Sequence, residues 1–246
     1  MPVVDLEIKV PQKLSAIKLN QYQRYLKILS GIEKDAENEK DVNVEGNEFL
    51  NLKSLEIFCG LELKDTYKLP LNVFDSVLVQ LSNCFKEQTP RVDRFTMTDA
   101  AGKTIEFGLM PNISEMSFGE YYDLDSYIQD WDKMHKAMAV LYRPIVLDTK
   151  GKYMIEEYEG SSKWADVMAE MPVNVAIGAY VFFYRLGSKL SKHTMNYLLE
   201  EVLAKEASTS QPTSERSGDG INQFMLWQEE MLEGLTRLPS FHYTSA

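Results

Sequence analysis

The side chains best suited to hold a metal ion lie in one acidic stretch of the chain. Asp132 and His135 are three residues apart, which places them on one face of a helix. A carboxylate with an imidazole is a common ligand pair for transition metals, but a third ligand is needed, and His193 and His242 have no ligand-like neighbours. His135 also falls on an apolar stripe, where a core histidine is the commoner interpretation. The sequence therefore predicts no metal and no other cofactor, and the acidic side chains are interpreted as a solvated helix face: Glu115, Glu120, Asp123, Asp125, Asp130 and Asp132.

Groups that could catalyse a reaction do not form a recognisable set. Glu156, Glu157 and Glu159 could supply one carboxylate for hydrolysis, but nothing in the sequence supplies the opposed second one. Neither Cys59 nor Cys84 has a histidine near it in sequence, no serine stands in a nucleophile-elbow pattern, and no glycine-rich phosphate loop is present. The sequence predicts no catalytic residue and favours a protein that is not an enzyme.

Tyr142 and Arg143 are candidates for contact with a partner. They end a long predicted helix just before Pro144, where a cation is favourable at the helix C-terminus. Two interpretations stay open at this point. The pair is either a helix cap with an aromatic anchor or an exposed anchor of a protein interface.

Composition narrows the classes of partner. The chain has 246 residues and a formal net charge of −11, with 44% apolar residues. This acidic balance disfavours nucleic acid and anionic membranes as partners. The most apolar stretch, residues 171–184, is too short to span a bilayer and is expected to be a buried helix. Cys59 and Cys84 are expected to be buried free thiols in helices, because nothing indicates export.

Hydrophobic periodicity predicts an α+β fold: a mainly helical body with two β-hairpins and an N-terminal strand, plus a tethered C-terminal amphipathic helix. Phe95 and Met97 are expected to face Phe107 and Ile105, and Ile145 and Leu147 to face Ile155 and Tyr153. One helix is expected over residues 117–142, with Ser117 and Glu120 forming a capping box and an apolar stripe running from Tyr121 through Trp131 to Tyr142. The other elements are an N-terminal strand over 4–10, a charged loop over 33–48, and helices over 20–29, 48–58, 71–85, 163–170, from 172 and over 188–205.

The end of the chain has a different composition. Residues 207–220 are rich in Ser, Thr, Gln, Pro and Gly, which predicts a flexible linker. Residues 221–246 follow as a C-terminal amphipathic segment, with its helix over 221–238. The domain organisation expected is a folded body over 1–206, with a sub-boundary near 90–112, and then the linker and the segment. The linker would let this helix dock on its own domain, on a neighbouring subunit or on a client, and all three stay open. Four large side chains of the segment are further candidates for partner binding: Phe224, Trp227, Met231 and Leu235.

Part of the chain resembles proteins encoded among the structural genes of tailed bacteriophages. The resemblance covers roughly residues 110–200. It lies in the stretches 116–125 (MSFGEYYDLD) and 135–145 (HKAMAVLYRPI), with 158–160 (YEG), 171–172 (MP) and 182–187 (FFYRLG) adding to it. It carries no motif with chemistry attached. Such genes encode virion components or assembly factors, among them tail assembly chaperones, which hold the tape-measure protein soluble while the tube assembles around it.

The resemblance implies a non-catalytic virion-assembly protein of the tail-assembly-chaperone type that binds an apolar helical client. Its partners would be other phage proteins, with homo-oligomerisation open, and its place the host cytoplasm or the virion. Two alternatives remain: a permanent virion component, such as a connector or internal protein, and a small phage-encoded enzyme with an unrecognised site. Mass spectrometry of purified virions would separate the chaperone from the virion component.

Overall fold

The structure, a computed structural model, describes residues 7–38, 44–99 and 102–185. It is an α+β fold, mainly helical, with one antiparallel sheet built from two hairpins in the order β1-β2-β3-β4. The helices are α1 (Leu19–Asn38), α2 (Val44–Cys59), α3 (Leu63–Thr66), α4 (Leu71–Phe85), α5 (Phe118–Ile128), α6 (Met134–Leu141), α7 (Ala165–Ala169) and α8 (173–185). The strands are β1 (Arg94–Thr98), β2 (Thr104–Leu109), β3 (Tyr142–Thr149) and β4 (Lys152–Ile155).

α6 lies at the centre of the core. Six of its eight side chains are at most 2% exposed, and they join one cluster of buried residues that extends from Leu14 before α1 to Phe183 in α8: Met134, Ala137, Met138, Ala139, Val140 and Leu141. The start of α1 is tied to the start of α8, because Leu19 N donates to Met171 O (2.8 Å) and Val173 N donates to Ile17 O (2.8 Å). The apolar helix expected after Pro172 is thus a core element.

Both hairpins form where the sequence predicts them. In β1–β2, Phe95 pairs with Phe107 and Met97 with Ile105, as expected. In β3–β4, Ile145 pairs with Ile155, also as expected.

The predicted pairing of Leu147 with Tyr153 is wrong. The register shifts between Ile145 and Leu147, and Leu147 pairs with Met154. A strand that takes up one extra residue at such an irregularity changes the cross-strand partners beyond it. The turn that follows has left-handed residues at Lys150 (φ 53°) and Gly151 (φ 82°), the conformation that a tight hairpin turn requires.

The long helix expected over residues 117–142 is interrupted. α5 ends at Ile128, a 3₁₀ turn follows over Trp131–Lys133, and α6 begins at Met134. Asp130 is extended, and its side chain accepts a hydrogen bond from Asp132 N at 2.9 Å, so it caps a new turn and does not continue the old helix. Short polar side chains compete in this way with helix continuation.

Two more expectations need correction. Residues 7–10 of the predicted N-terminal strand pair with no other strand among the described residues; residues 4–6 lie outside them. The predicted loop over 33–48 is wrong in its described part, since α1 continues to Asn38 and α2 begins at Val44. The predicted helix over 71–85 is confirmed with both of its ends, whereas the predicted helix over 188–205 lies outside the described residues.

Candidate protein-binding surface

An aromatic face on α5 is exposed to solvent. Phe118, Tyr121 and Tyr122 are 81%, 59% and 63% exposed, and the rings of Phe118 and Tyr122 lie 6.3 Å apart. Asp125, also exposed, shares their side of the helix because it is four residues after Tyr121 and three after Tyr122. We call these four residues the α5 face. The expectation that Tyr121 belongs to the buried stripe is wrong.

The opposite side of α5 is buried. Glu120, Leu124 and Ile128 recur every four residues and are each at most 7% exposed. The helix begins with the predicted capping box: Ser117 Oγ accepts from Glu120 N (3.3 Å), and Glu120 Oε2 accepts from Ser117 N (2.7 Å). The interpretation of Glu120 as part of a solvated acidic face is therefore wrong, because its side chain faces the interior.

Glu120 is held there by Arg143. Arg143 Nη2 lies 2.5 Å from Glu120 Oε1, and both side chains are less than 10% exposed. Burial alone would raise the pKa of Glu120, but hydrogen bonds from Ser117 and the charge of Arg143 outweigh it, so the pKa lies below its usual value. The Arg143 guanidinium also lies 5.5 Å from the Tyr158 ring, and the Tyr158 hydroxyl donates to Asp123. The base of β3 and the chain after β4 thus anchor the inner side of α5.

Tyr142 and Arg143 lie inside the protein. They are 0% and 6% exposed, and Tyr142 is the first residue of β3, where it pairs with Leu109. Its hydroxyl donates to Val92 O (2.7 Å). The prediction of an exposed Tyr–Arg interface anchor is wrong because Pro144 disfavours helical backbone at Arg143. The chain therefore turns into a strand and carries both side chains inward.

A second exposed apolar surface lies on the β3–β4 hairpin. Leu147 and Met154, which pair across the strands, are 54% and 61% exposed. Side chains alternate along a strand, so Lys152 is on the same side as Met154, and Tyr153 is on the other. The Tyr153 hydroxyl donates to Leu109 O (2.6 Å). Its ring covers Gly108, where a Cβ would lie only 2.5 Å from Tyr153 Cε2. We call Leu147, Lys152 and Met154 the hairpin face.

His135, the candidate metal ligand, is half-buried, and its Nδ1 lies 3.0 Å from Gln23 Nε2. That amide nitrogen also donates to Trp131 O (2.7 Å), so it is a donor toward the imidazole. Burial and the neighbouring Lys136 lower the pKa of His135. Within the described ranges, no group of three His, Cys, Asp or Glu side chains is placed to hold a metal ion.

The two cysteines are free thiols, as expected. Cys84 is buried and Cys59 is half-buried, and burial raises the pKa of both to about 11. A raised pKa disfavours the thiolate, which is the nucleophilic form. These thiols are therefore packed side chains in α2 and α4 and poor candidates for catalysis.

An open groove of about 770 Å³ lies beside β2 and β4. Two cations line it. Arg91 forms an ion pair with Asp93 (2.7 Å) and its guanidinium lies 4.7 Å from the Phe182 ring, whereas Lys152 forms no ion pair with a described residue. Tyr153 also lines the groove, with its hydroxyl committed to Leu109 O. The Arg91 guanidinium and the Tyr153 hydroxyl are thus already engaged within the protein.

The remaining candidates lie outside the described residues: Phe224, Trp227, Met231 and Leu235. So do the predicted linker over 207–220 and the segment 221–246.

The α5 face and the hairpin face were not singled out from the sequence. A signal for the first was present: Phe118 and Tyr122 are large aromatic residues off the Leu124–Ile128 stripe.

No protein-family model, curated protein or solved structure matches the chain. None of the helices in the described part is long and apolar enough to cross a membrane.

Proposed function

We propose that the chain is a non-catalytic phage assembly protein of the tail-assembly-chaperone type, and that it binds an apolar helical client through the α5 face. One observation carries the proposal. One of the stretches that resemble phage structural-gene products, residues 116–125, forms this exposed aromatic face.

The size and chemistry of the face suit a protein partner. A buried aromatic side chain removes 150–250 Å² from water, so three that are each more than half exposed offer on the order of 400 Å². At ~25 cal/mol per Å², covering that surface contributes about 10 kcal/mol before the costs of association. A patch of this size matches the largest apolar patch on a typical monomeric protein, which is often functional. Asp125 adds a preference for a client with a cation beside its apolar stripe.

The α5 face is also presented rigidly. Glu120 and Leu124 fix the inner side of the helix, and the capping box fixes its first turn. A preorganised surface loses less conformational entropy when a partner binds, so more of the interaction free energy contributes to affinity. An apolar client helix with side chains at i, i+3 and i+4 would pack against Phe118, Tyr121 and Tyr122.

Capture of the client tests the proposal. The tagged full chain is expressed in cells infected by the phage that encodes it, and captured proteins are identified by mass spectrometry. We expect the tape-measure protein to be captured by the wild type and lost with the double variant Phe118→Ser/Tyr122→Ser. Leu71→Ser is the matched control, since Leu71 is 74% exposed on α4, outside the resembling stretch. Equal capture by the two variants would contradict the assignment of the α5 face.

Purified virions separate the chaperone from the permanent virion component. A chaperone leaves when the tail is complete, so the chain should be missing from the particles while it remains abundant in the lysate. Detection of the chain at a fixed number of copies per particle would favour the virion component instead.

A further inference from the structure

The hairpin face and the α5 face are chemically complementary. The hairpin face carries two exposed apolar side chains, Leu147 and Met154, beside one cation, Lys152. The α5 face carries exposed aromatic side chains beside one anion, Asp125. Neither Lys152 nor Asp125 forms an ion pair with any described residue. Each face therefore offers apolar surface and one charge of the sign that the other lacks.

The two faces are not in contact within one chain, since the apolar side chains of both are more than half exposed. Arg143, at the base of the hairpin, is bonded to Glu120 on the inner side of α5. At ~100° per residue, Glu120 lies about 150° around the helix from the centre of the α5 face. In this conformation a contact between the two faces therefore joins two copies.

We infer that the hairpin face of one copy docks on the α5 face of a second copy, with Leu147 and Met154 against the aromatic rings and Lys152 beside Asp125. The contact is head-to-tail, because it joins two different surfaces, and each added copy leaves one face of each kind free. The net charge of −11 makes copies repel in general. The local pair of opposite charges therefore selects this contact over other pairings.

The inference extends the proposed function, because it names a second occupant for the α5 face: self-association and client binding compete for the same side chains. It does not need the client for its test. The assembly state is measured on the purified chain alone, so failure of the inference and failure of client capture are separate results.

Variants that reverse the charge of one face test the contact. Sedimentation velocity of the full chain over a range of concentrations should show reversible assembly of the wild type. Asp125→Lys and Lys152→Glu should each weaken assembly about tenfold, as loss of a close charge pair at an interface does. Mixing these two variants should restore it, because each face of one variant is then opposite in charge to the complementary face of the other.

Asp75→Lys is the matched control. Asp75 is exposed on α4, and its replacement changes the net charge by the same amount as Asp125→Lys, outside both faces. It should assemble at least as well as the wild type. A wild type that stays monomeric up to its solubility limit overturns the inference. So does a mixture of the two variants that assembles no better than either alone, because then the losses did not come from the pairing of Lys152 with Asp125.

Discussion

Replacing Arg143 by methionine tests whether the buried pair with Glu120 fixes α5. Methionine keeps much of the length and apolar character of the arginine stem and removes the guanidinium. Glu120 would then remain inside the protein as a carboxylate without its cation. Removing one partner of a buried ion pair typically costs about 3–5 kcal/mol, mostly because the remaining charge is left uncompensated.

The geometry places Arg143→Met near the lower end of that range. The pair is a single contact between Arg143 Nη2 and Glu120 Oε1, and Arg143 Nε has no hydrogen-bond partner among the described residues. The second carboxylate oxygen of Glu120 keeps its bond from Ser117 N when the arginine is removed. We therefore expect a loss of about 3 kcal/mol, a large share of the 5–15 kcal/mol that stabilises a typical domain.

Urea denaturation at pH 7 measures the loss. The midpoint should fall with little change in the slope, which depends on the surface exposed by unfolding. The double variant Glu120→Gln/Arg143→Met should recover much of the lost stability, because no buried charge is then left alone. A single variant within about 0.5 kcal/mol of the wild type, the range of ordinary surface substitutions, would refute the reasoning.

The same pair predicts a dependence on pH. The folded state lowers the pKa of Glu120, so the stability it contributes is fully present above the unfolded value of about 4.3 and is lost as the pH falls through the folded pKa. The advantage of the wild type over Arg143→Met should therefore be constant near neutrality and shrink in acid. An advantage that grew on acidification would contradict the assigned direction.

Three further predictions concern packing and the end of the chain. Gly178→Ala should destabilise the protein by about 1–3 kcal/mol in a urea titration, because the added Cβ would lie 2.5 Å from the backbone oxygen of Pro90. Gly31→Ala is the control: no atom of the described residues beyond its own stretch of helix lies within 4 Å of the added Cβ, so this variant should be as stable as the wild type or more stable. Trp131→Ala should lower the free energy of unfolding by about 2–3 kcal/mol, because the ring packs between Tyr22 and Tyr180, 5.2 and 5.3 Å away. The loss is smaller than for a fully buried tryptophan, since the ring is half-buried. An unchanged melting temperature would contradict this. Deleting 207–246 should leave a folded body with weaker capture of partners, and unfolding or aggregation on deletion would instead indicate that these residues cover the core.

Sequence patterns were most informative where one local rule governs the backbone. The pairing of Phe95 with Phe107 followed from period-two alternation and a four-residue turn that ends in Gly102, and both are local properties. The capping box at Ser117 followed from the spacing of two residues, for the same reason. The α+β class could be predicted because these local signals were consistent with one another.

The interruption at Asp130 shows what such patterns miss. Apolar residues spaced by three and four continue through it, so periodicity predicts one helix, while the cap formed by Asp130 turns the chain and buries most of α6. The burial of Tyr142 and Arg143 has a separate cause, since Pro144 turns the chain into a strand there. Their surroundings are set by Glu120, Val92 and Leu109, which are 23, 50 and 33 residues away in sequence, and no local pattern reports such contacts.

The α5 face is not explained by the stability of the fold. Phe118 is 81% exposed, and its ring lies 6.3 Å from the ring of Tyr122 on the same helix. Replacing Phe118 by serine should therefore change the free energy of unfolding by only about 0.5 kcal/mol. The inner residues Glu120 and Leu124 hold the helix with or without that ring. Exposed aromatic side chains lower solubility, which a protein can avoid with polar residues at the same positions. An apolar surface that adds little stability and is displayed on a firmly anchored helix is better explained by contact with another protein. Lys152→Glu separates a client from a second copy as that protein, because Lys152 lies on the hairpin face and not on the α5 face.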